Sequence, residues 1–265
     1  MPYTLVMAKP DAMRRPDVLA AIDEQIATAS VARRYAVDTA LTEEQARTLF
    51  PSFDEVRYPL TRALLLCYLT SGPVRFVVLS GSNALGAGRQ IRRSVRNRFA
   101  VAALANCVHA AADPEEAARQ LGWLSATHGT PPHWSGDTGS GSAAAGVTPV
   151  PGITGRLAAV DLGRLARSVW SVLERVGWGG LWQAPAAPGQ WVTRLCSDDA
   201  HSLDYAAATL YEVHPDLSPV RAVQAVLRVD QTGSAIVHAG SRTAATELAS
   251  ALAHRGLTAA ADPVT

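Results

Sequence analysis

His109 ends the apolar run Phe99-Ala-Val-Ala-Ala-Leu-Ala-Asn106-Cys-Val-His109, and five arginines crowd the stretch before it: Arg89, Arg92, Arg93, Arg96 and Arg98. Guanidinium forks match phosphate oxygens two at a time, so an imidazole beside them is placed to act on phosphate. An imidazole is also a competent nucleophile at neutral pH once a neighbour fixes its tautomer. Of 24 basic residues all but Lys9 are arginine, which marks Lys9 as a place where a compact ammonium fits and a guanidinium does not. The bland alternative is a histidine that merely packs on an apolar strand.

These groups need a scaffold, and the sequence predicts one. Tyr3 to Ala8 is an apolar strand that Lys9-Pro10-Asp11 breaks into a turn, and a helix is expected over 16–28. A second strand is expected over 34–40. Thr42, with Gln45 completing a capping box, opens a helix over 43–49. A helix over 61–69, a turn at Ser71-Gly72-Pro73, a strand over 74–79 and a short helix over 83–91 follow. The run from Phe99 reads as a buried strand that delivers His109, and Asp113-Pro114-Glu115-Glu116 starts the next helix. This order predicts an α+β fold, with a ferredoxin-like antiparallel sheet under a layer of helices.

Residues 3–124 resemble a nucleoside diphosphate kinase. The resemblance rests on Thr4-Leu-Val-Met-Ala-Lys-Pro-Asp11, Thr70-Ser-Gly-Pro-Val74, Gly81-Ser-Asn-Ala84, Gly88-Arg89, Arg96-Asn-Arg-Phe99 and Asn106-Cys-Val-His109 with Glu115-Glu-Ala117 behind it. It implies that His109 takes the γ-phosphoryl group of a nucleoside triphosphate and passes it on. It further implies that Lys9, Arg89 and Arg96 hold phosphates, that Asn106 contacts the ribose end, and that Mg2+ accompanies ATP or another triphosphate. Phe50 and Tyr58 fall where the family meets its nucleotide. Several positions depart from the family. Only Gln90 to Val95 separate the two arginines where the family carries a long loop with a phosphate-binding threonine, a loop also used in family oligomers. Phe50 replaces a tyrosine, and His109-Ala-Ala-Ala-Asp113 lacks the hydroxyl that follows the family's histidine. Gln120 stands where a glutamate holds the other ring nitrogen; its amide oxygen could accept that hydrogen bond without supplying charge, and Glu116, one turn earlier, could substitute. The catalytic set is therefore His109, Lys9, Gln120 and Glu116.

Residues 125–155 are rich in Gly, Ser, Pro and Thr and read as a flexible linker, in which His128 and His133 are read as solvated rather than metal-bound. Residues 156–189 read as an amphipathic helix over 160–177 with a Trp-rich connector. From Gln190 a second domain, residues 190–265, alternates strand, helices, strand and helix. It resembles the ClpS type of Clp protease adaptor, through Ser197-Asp-Asp199, Tyr205, Ala222, Gln231-Thr-Gly233-Ser-Ala235 and Gly256-Leu257. A small α/β sandwich is implied, with Ser197, Asp198, Asp199 and Asp230 offering an anionic pocket to the ammonium of an amino compound or a peptide N-terminus. The alternative is that these carboxylates only cap turns.

A formal net charge of +1 argues against general binding to nucleic acid, and no apolar run is long enough to cross a membrane. Cys67, Cys107 and Cys196 lie far apart in apolar surroundings, as expected of reduced thiols in a cytoplasmic protein. Two functions stay open: a phosphohistidine-forming phosphotransferase whose acceptor the ClpS-like domain presents, or a weakened kinase fold that senses nucleotide while that domain binds an amine. Oligomeric state is left open.

Overall fold

The computed structural model describes residues 2–51, 57–129, 153, 155–198 and 200–265. The chain divides into two compact units, Met1–Pro51 with Tyr68–Val147, and Ser52–Cys67 with Thr148–Thr265. Among the described residues no helix is long and apolar enough to cross a membrane.

The first unit is built on β1 (Tyr3–Ala8), β2 (Ala32–Ala40), β3 (Pro73–Ser80) and β4 (Val108–Ala110), in the order β2-β3-β1-β4 with every pair antiparallel. This is the expected ferredoxin-like α+β sheet. β1 is buried along nearly its whole length because it is a continuous apolar run, whereas β2, at the edge, alternates between exposed and half-buried. Helices α1 (Pro10–Met13), α2 (Pro16–Thr28), α3 (Glu43–Leu49), α5 (Ala84–Phe99) and α6 (Pro114–His128) complete it, α4 (Pro59–Leu69) lying between α3 and β3 in sequence. Val6, Ile22, Ile26, Val77, Leu79, Ile91, Val95 and Val108 form its core. Thr42 and Gln45 make the capping box at α3.

The structure corrects three expectations here. Lys9-Pro10-Asp11 does not simply turn: Pro10 opens the single-turn helix α1. The helix expected to stop at Ile91 continues to Phe99, because Ala84, Ala87, Gly88, Ile91 and Val95 keep one buried face at helical spacing. The strand expected from Phe99 therefore shrinks to Val108–Ala110, and residue Cys107, at φ +63°, turns the chain into it. Gly88 permits a close seat for α5. A Cβ there would lie 3.3 Å from Thr4 Cγ2 on β1 and 3.5 Å from Ala110 Cβ on β4.

The second unit holds a three-stranded antiparallel sheet, β6 (Ser234–Gly240), β5 (Trp191–Cys196) and β7 (Ala259–Pro263), with β5 central. Its helices are α7 (Leu162–Val176), α8 (Leu203–Val213), α9 (Pro219–Thr232) and α10 (Arg242–His254), preceded by a short 3-10 helix at Gly155–Ala159. Asp161, Ser202, Ser218 and Ser241 cap the four helices through their side chains. Strand β7 had no expected counterpart. Its Ala259-Ala-Ala-Asp-Pro sequence carries no strand signal, and pairing with β5 alone makes it one.

Helix α6 runs to His128, past residue 124 and into the stretch read as linker; most of that stretch, including His133, lies outside the described residues. Ser52–Cys67, inside the kinase-like stretch, groups with the second unit. There the buried carboxylate of Asp204 accepts from Leu60 N at 2.8 Å, Thr61 N at 3.0 Å and the Thr61 hydroxyl, satisfying the first amides of α4.

Candidate active site

His109 sits in the middle of β4 with its side chain 12 % exposed, so little of the ring meets solvent. Phe50, the C-cap of α3, meets it in a T-shaped contact with ring centroids 4.9 Å apart. Local helix chemistry sets its other neighbours. Asp113 caps α6 by accepting from Glu116 N at 2.8 Å, and Glu116 Oε2 reaches back to Ala112 N at 2.7 Å. This reciprocal cap turns Glu116 Oε1 towards the ring, 3.3 Å from His109 Nε2.

Gln120, buried one turn later, also meets the ring, but with its amide nitrogen and not the oxygen that was expected to accept from it. Gln120 Nε2 lies 2.9 Å from His109 Nε2 and 3.0 Å from Glu116 Oε1, while Gln120 Oε1 is buried without a partner among the described residues. The cause is Glu116: an anionic oxygen draws the amide N–H groups to itself. Two proton arrangements compete at Nε2. When Nε2–H donates to Glu116, Nδ1 keeps its lone pair; when Gln120 donates to Nε2, the proton resides on Nδ1. No described residue hydrogen-bonds to Nδ1.

The phosphate-binding candidates gather at the same place. Lys9 is buried at the end of β1 and its Nζ donates to Asn106 Oδ1 at 2.6 Å, while Asn106 Nδ2 holds Ala103 O at 2.5 Å. From α5, Arg96 Nε donates to Val108 O and Arg92 Nη1 to Ala110 O, each at 2.9 Å, so the two guanidiniums bracket the His109 backbone. Arg89 is exposed one turn before Arg92 on the same helix. Tyr58 belongs to the second unit, where the Arg57 guanidinium lies 5.2 Å from its ring centroid. Arg92 was missed as a site residue. Helical spacing puts it in line with Arg89 and Arg96, a signal legible once the helix is drawn through to Phe99.

Burial dominates the electrostatics. It lowers Lys9 to about 7, helped by the positive charge of Arg96 and opposed by Asp11. It also lowers His109, against the opposing pull of Glu116, so the imidazole is neutral at pH 7. Burial raises Glu116, yet its bonds to His109 and Ala112 N outweigh that and leave it below the usual carboxylate range. Cys107 is pushed up to about 12, first by burial and then by Asp11, which keeps a competing thiolate out of the site.

In the second unit, Ser197 N bonds to Gly233 O at 2.8 Å, which brings the Ser197-Asp198 turn to the end of α9 that carries exposed Asp230. Asp198 Oδ1 accepts from Ala200 N and His201 N at 3.0 Å each and from His201 Nδ1 at 2.9 Å. Its first task is thus to cap the turn, and only Oδ2 is left without a partner among the described residues. Partial burial raises Asp198, but the His201 and amide donors outweigh it and hold the carboxyl low. Asp199 lies outside the described residues. Among the described residues no three His, Cys, Asp or Glu side chains are grouped to hold a metal ion.

Comparison with known proteins agrees with both resemblances. The nucleoside diphosphate kinase family model matches residues 2–127, and that of the ATP-dependent Clp protease adaptor protein ClpS matches residues 186–260. The nucleoside diphosphate kinase of Mycobacteroides abscessus is 33% identical over 132 residues, covering 44% of this chain and 92% of that protein. That of Treponema pallidum is 29% identical over 136 residues, covering 44% and 83%. The crystal structure of the Aquifex aeolicus enzyme aligns with 24% identity and a TM-score of 0.40 over 46% of this chain and 94% of that one. Through residues 2–127 the chain belongs to the nucleoside diphosphate kinase family, and it carries a ClpS-like domain behind them.

Proposed function

We propose that His109 Nδ1 accepts the γ-phosphoryl group of a nucleoside triphosphate and passes it to a second acceptor. The observation that carries this is the carboxylate of Glu116 at 3.3 Å from His109 Nε2, in a chain where the family's glutamate is Gln120. Nε2–H donates to Glu116, the Nδ1 lone pair attacks phosphorus, the bond to the bridging β-phosphate oxygen breaks, and the nucleoside diphosphate leaves with that electron pair. The imidazolium left on phosphorus keeps its Nε2 proton, and Glu116 offsets its charge. Lys9, Arg92 and Arg96 neutralise the phosphate oxygens, joined by Arg89 once it swings in, and Asn106 keeps Lys9 directed. Phe50 packs the ring but has no hydroxyl to donate. Magnesium is carried as the triphosphate's own counter-ion: the chain's groups at His109 are cations or carboxylates already engaged, which suits a metal-laden substrate and not a resident ion.

A second reading, a nucleotide sensor with an idle imidazole, is favoured by Gln120 Nε2 at 2.9 Å from Nε2, which supports the unreactive tautomer. In either case we infer an amine ligand for the ClpS-like domain, an amino compound or peptide N-terminus, held by Asp198 Oδ2 and Asp230 with Ser197 beside them.

Intact-mass measurement after incubation with magnesium and a panel of nucleoside triphosphates tests the first reading. One acid-labile phosphate should appear on the wild-type chain and none on His109→Ala, which should still bind nucleotide. Undiminished labelling of His109→Ala would overturn it, and nucleotide binding without any labelling would leave the sensor.

A further inference from the structure

The carboxylate of Asp11 is committed on both oxygens to groups that the phosphate chemistry does not use. Oδ2 accepts from Cys107 N at 3.0 Å, and Oδ1 accepts from Ala12 N at 3.0 Å and from the Tyr68 hydroxyl. Cys107 is the one non-glycine residue among those described with positive φ, in a conformation that side chains of L-residues rarely adopt. Its carbonyl accepts from Lys9 N at 2.8 Å. Both backbone polar groups of this residue are therefore held by the Lys9–Asp11 turn. Asn106, which directs the Lys9 ammonium, lies on one side of it, and His109 follows two residues on.

The geometry points to Asp11 as a positioning residue: its carboxylate pins the Cys107 turn and so fixes where the His109 ring and the Lys9 ammonium meet a phosphate, while Tyr68 fixes the direction of the carboxylate. The consequence for phosphoryl transfer rests on the phosphohistidine reading above; the pinning does not. Tyr68 suits the task, since burial and then the charge of Asp11 raise it well above an ordinary phenol, so it remains a donor. Asp11 has a second effect, through charge. Lys9 is faced by Asp11, which favours its ammonium, by Arg96 and Arg92, which oppose it, by the Cys107 thiol and Asn106, both neutral where Lys9 titrates, and by the Tyr68 ring at 5.5 Å. Removing the negative charge alone moves Lys9 titration below its present value of about 7.

Three variants of the full chain separate these effects. Asp11→Asn keeps an acceptor for Cys107 N, because the Tyr68 hydroxyl can turn to accept from the new amide, and it loses the charge and the acceptor for Ala12 N. Asp11→Ala loses the acceptor for Cys107 N as well, and Tyr68→Phe loses only the hydroxyl. Single-turnover labelling with magnesium-ATP across pH, nucleotide affinity across pH, and hydrogen exchange at Cys107 and Val108 are the readouts. At a pH below the Lys9 titration, Asp11→Ala should label about a hundredfold more slowly with nucleotide affinity changed less than about threefold, and Cys107 N–H should exchange at least about tenfold faster. Asp11→Asn should recover part of that rate with near-native exchange, yet show the alkaline fall in nucleotide affinity at lower pH. Tyr68→Phe should slow labelling with the pH profile unmoved. Wild-type labelling in Asp11→Ala, an unshifted profile in Asp11→Asn, or unchanged exchange in both Asp11→Ala and Tyr68→Phe would each overturn the assignment. A wild-type chain that takes up no phosphate would defeat the phosphohistidine reading alone, with exchange and the binding profile still deciding the role of Asp11.

Discussion

The contest at His109 Nε2 is between a carboxylate and an amide four residues apart on one helix. Glu116 and Gln120 lie 3.0 Å apart, so Gln120→Glu places two carboxylates where one of them must hold a proton, and its gain in rate should be small. Glu116→Gln removes the only carboxylate that reaches Nε2 among the described residues and should slow phosphohistidine formation by roughly ten to a hundredfold, the factor expected for losing about 1–3 kcal/mol at a developing charge. The exchanged pair, Glu116→Gln with Gln120→Glu, should recover most of that loss. A double mutant no faster than Glu116→Gln would mean that charge at Nε2 is not what limits the step. Lys9 allows a second residue-scale prediction. Its folded value, about 7 against 10.5, lies below the unfolded one, so between those values the unfolded chain binds more protons and stability rises with pH. Below about 7 the native state bears the full cost of a buried ammonium. Lys9→Met should therefore stabilise the chain most below pH 7, with the advantage fading towards pH 10.5 in denaturant titrations at several pH values. A pH-independent difference would show that Lys9 is charged throughout.

At the scale of elements, what was legible was what local chemistry decides. The capping box at Thr42 was readable because a hydroxyl and an amide three residues on settle a helix start by themselves. The Phe99–His109 run misled because its apolar residues fit a strand, whereas the turn at Cys107 is imposed by Asp11 and Lys9, far away in sequence. The orientation of the Gln120 amide was likewise hidden, since it depends on where Glu116 points. Helix α4 adds a long-range dependence of the same kind. The sequence offers no cap before Pro59, and Asp204, 144 residues on from Leu60, takes the first amides instead. Burial raises the Asp204 carboxyl, with the Thr61 hydroxyl and the Leu60 and Thr61 amides opposing it, as expected of a group kept for its hydrogen bonds. Asp204→Ala should destabilise the chain by about 1–3 kcal/mol, since it leaves buried donors without a partner. Amide exchange at Leu60 and Thr61 should rise with it, and native protection there would show that solvent or another acceptor serves equally well.

At the scale of the whole molecule, one chain joins a kinase-family stretch, residues 2–127, to a ClpS-like stretch, residues 186–260, and the value of that union depends on whether the second still holds an amine. Its carboxylates are not equivalent. Asp198 is a structural residue first, its Oδ1 taken by two amides and His201, whose ring in turn stacks on Tyr205 at 4.9 Å. Only Oδ2 remains for a ligand, and Asp230 is exposed, so each ionic contact is screened and worth about 1 kcal/mol or less. Calorimetry with free and N-acetylated dipeptides should thus find weak binding of the free amine that fades with added salt, and none of the acetylated form. Asp230→Asn should weaken it by about threefold to fivefold. Asp198→Asn should weaken it and also loosen the His201 turn, visible as faster exchange at Ala200 and His201. Equal affinity for free and acetylated peptides would reduce the ClpS likeness to one of fold, with Asp198 a turn cap and nothing more.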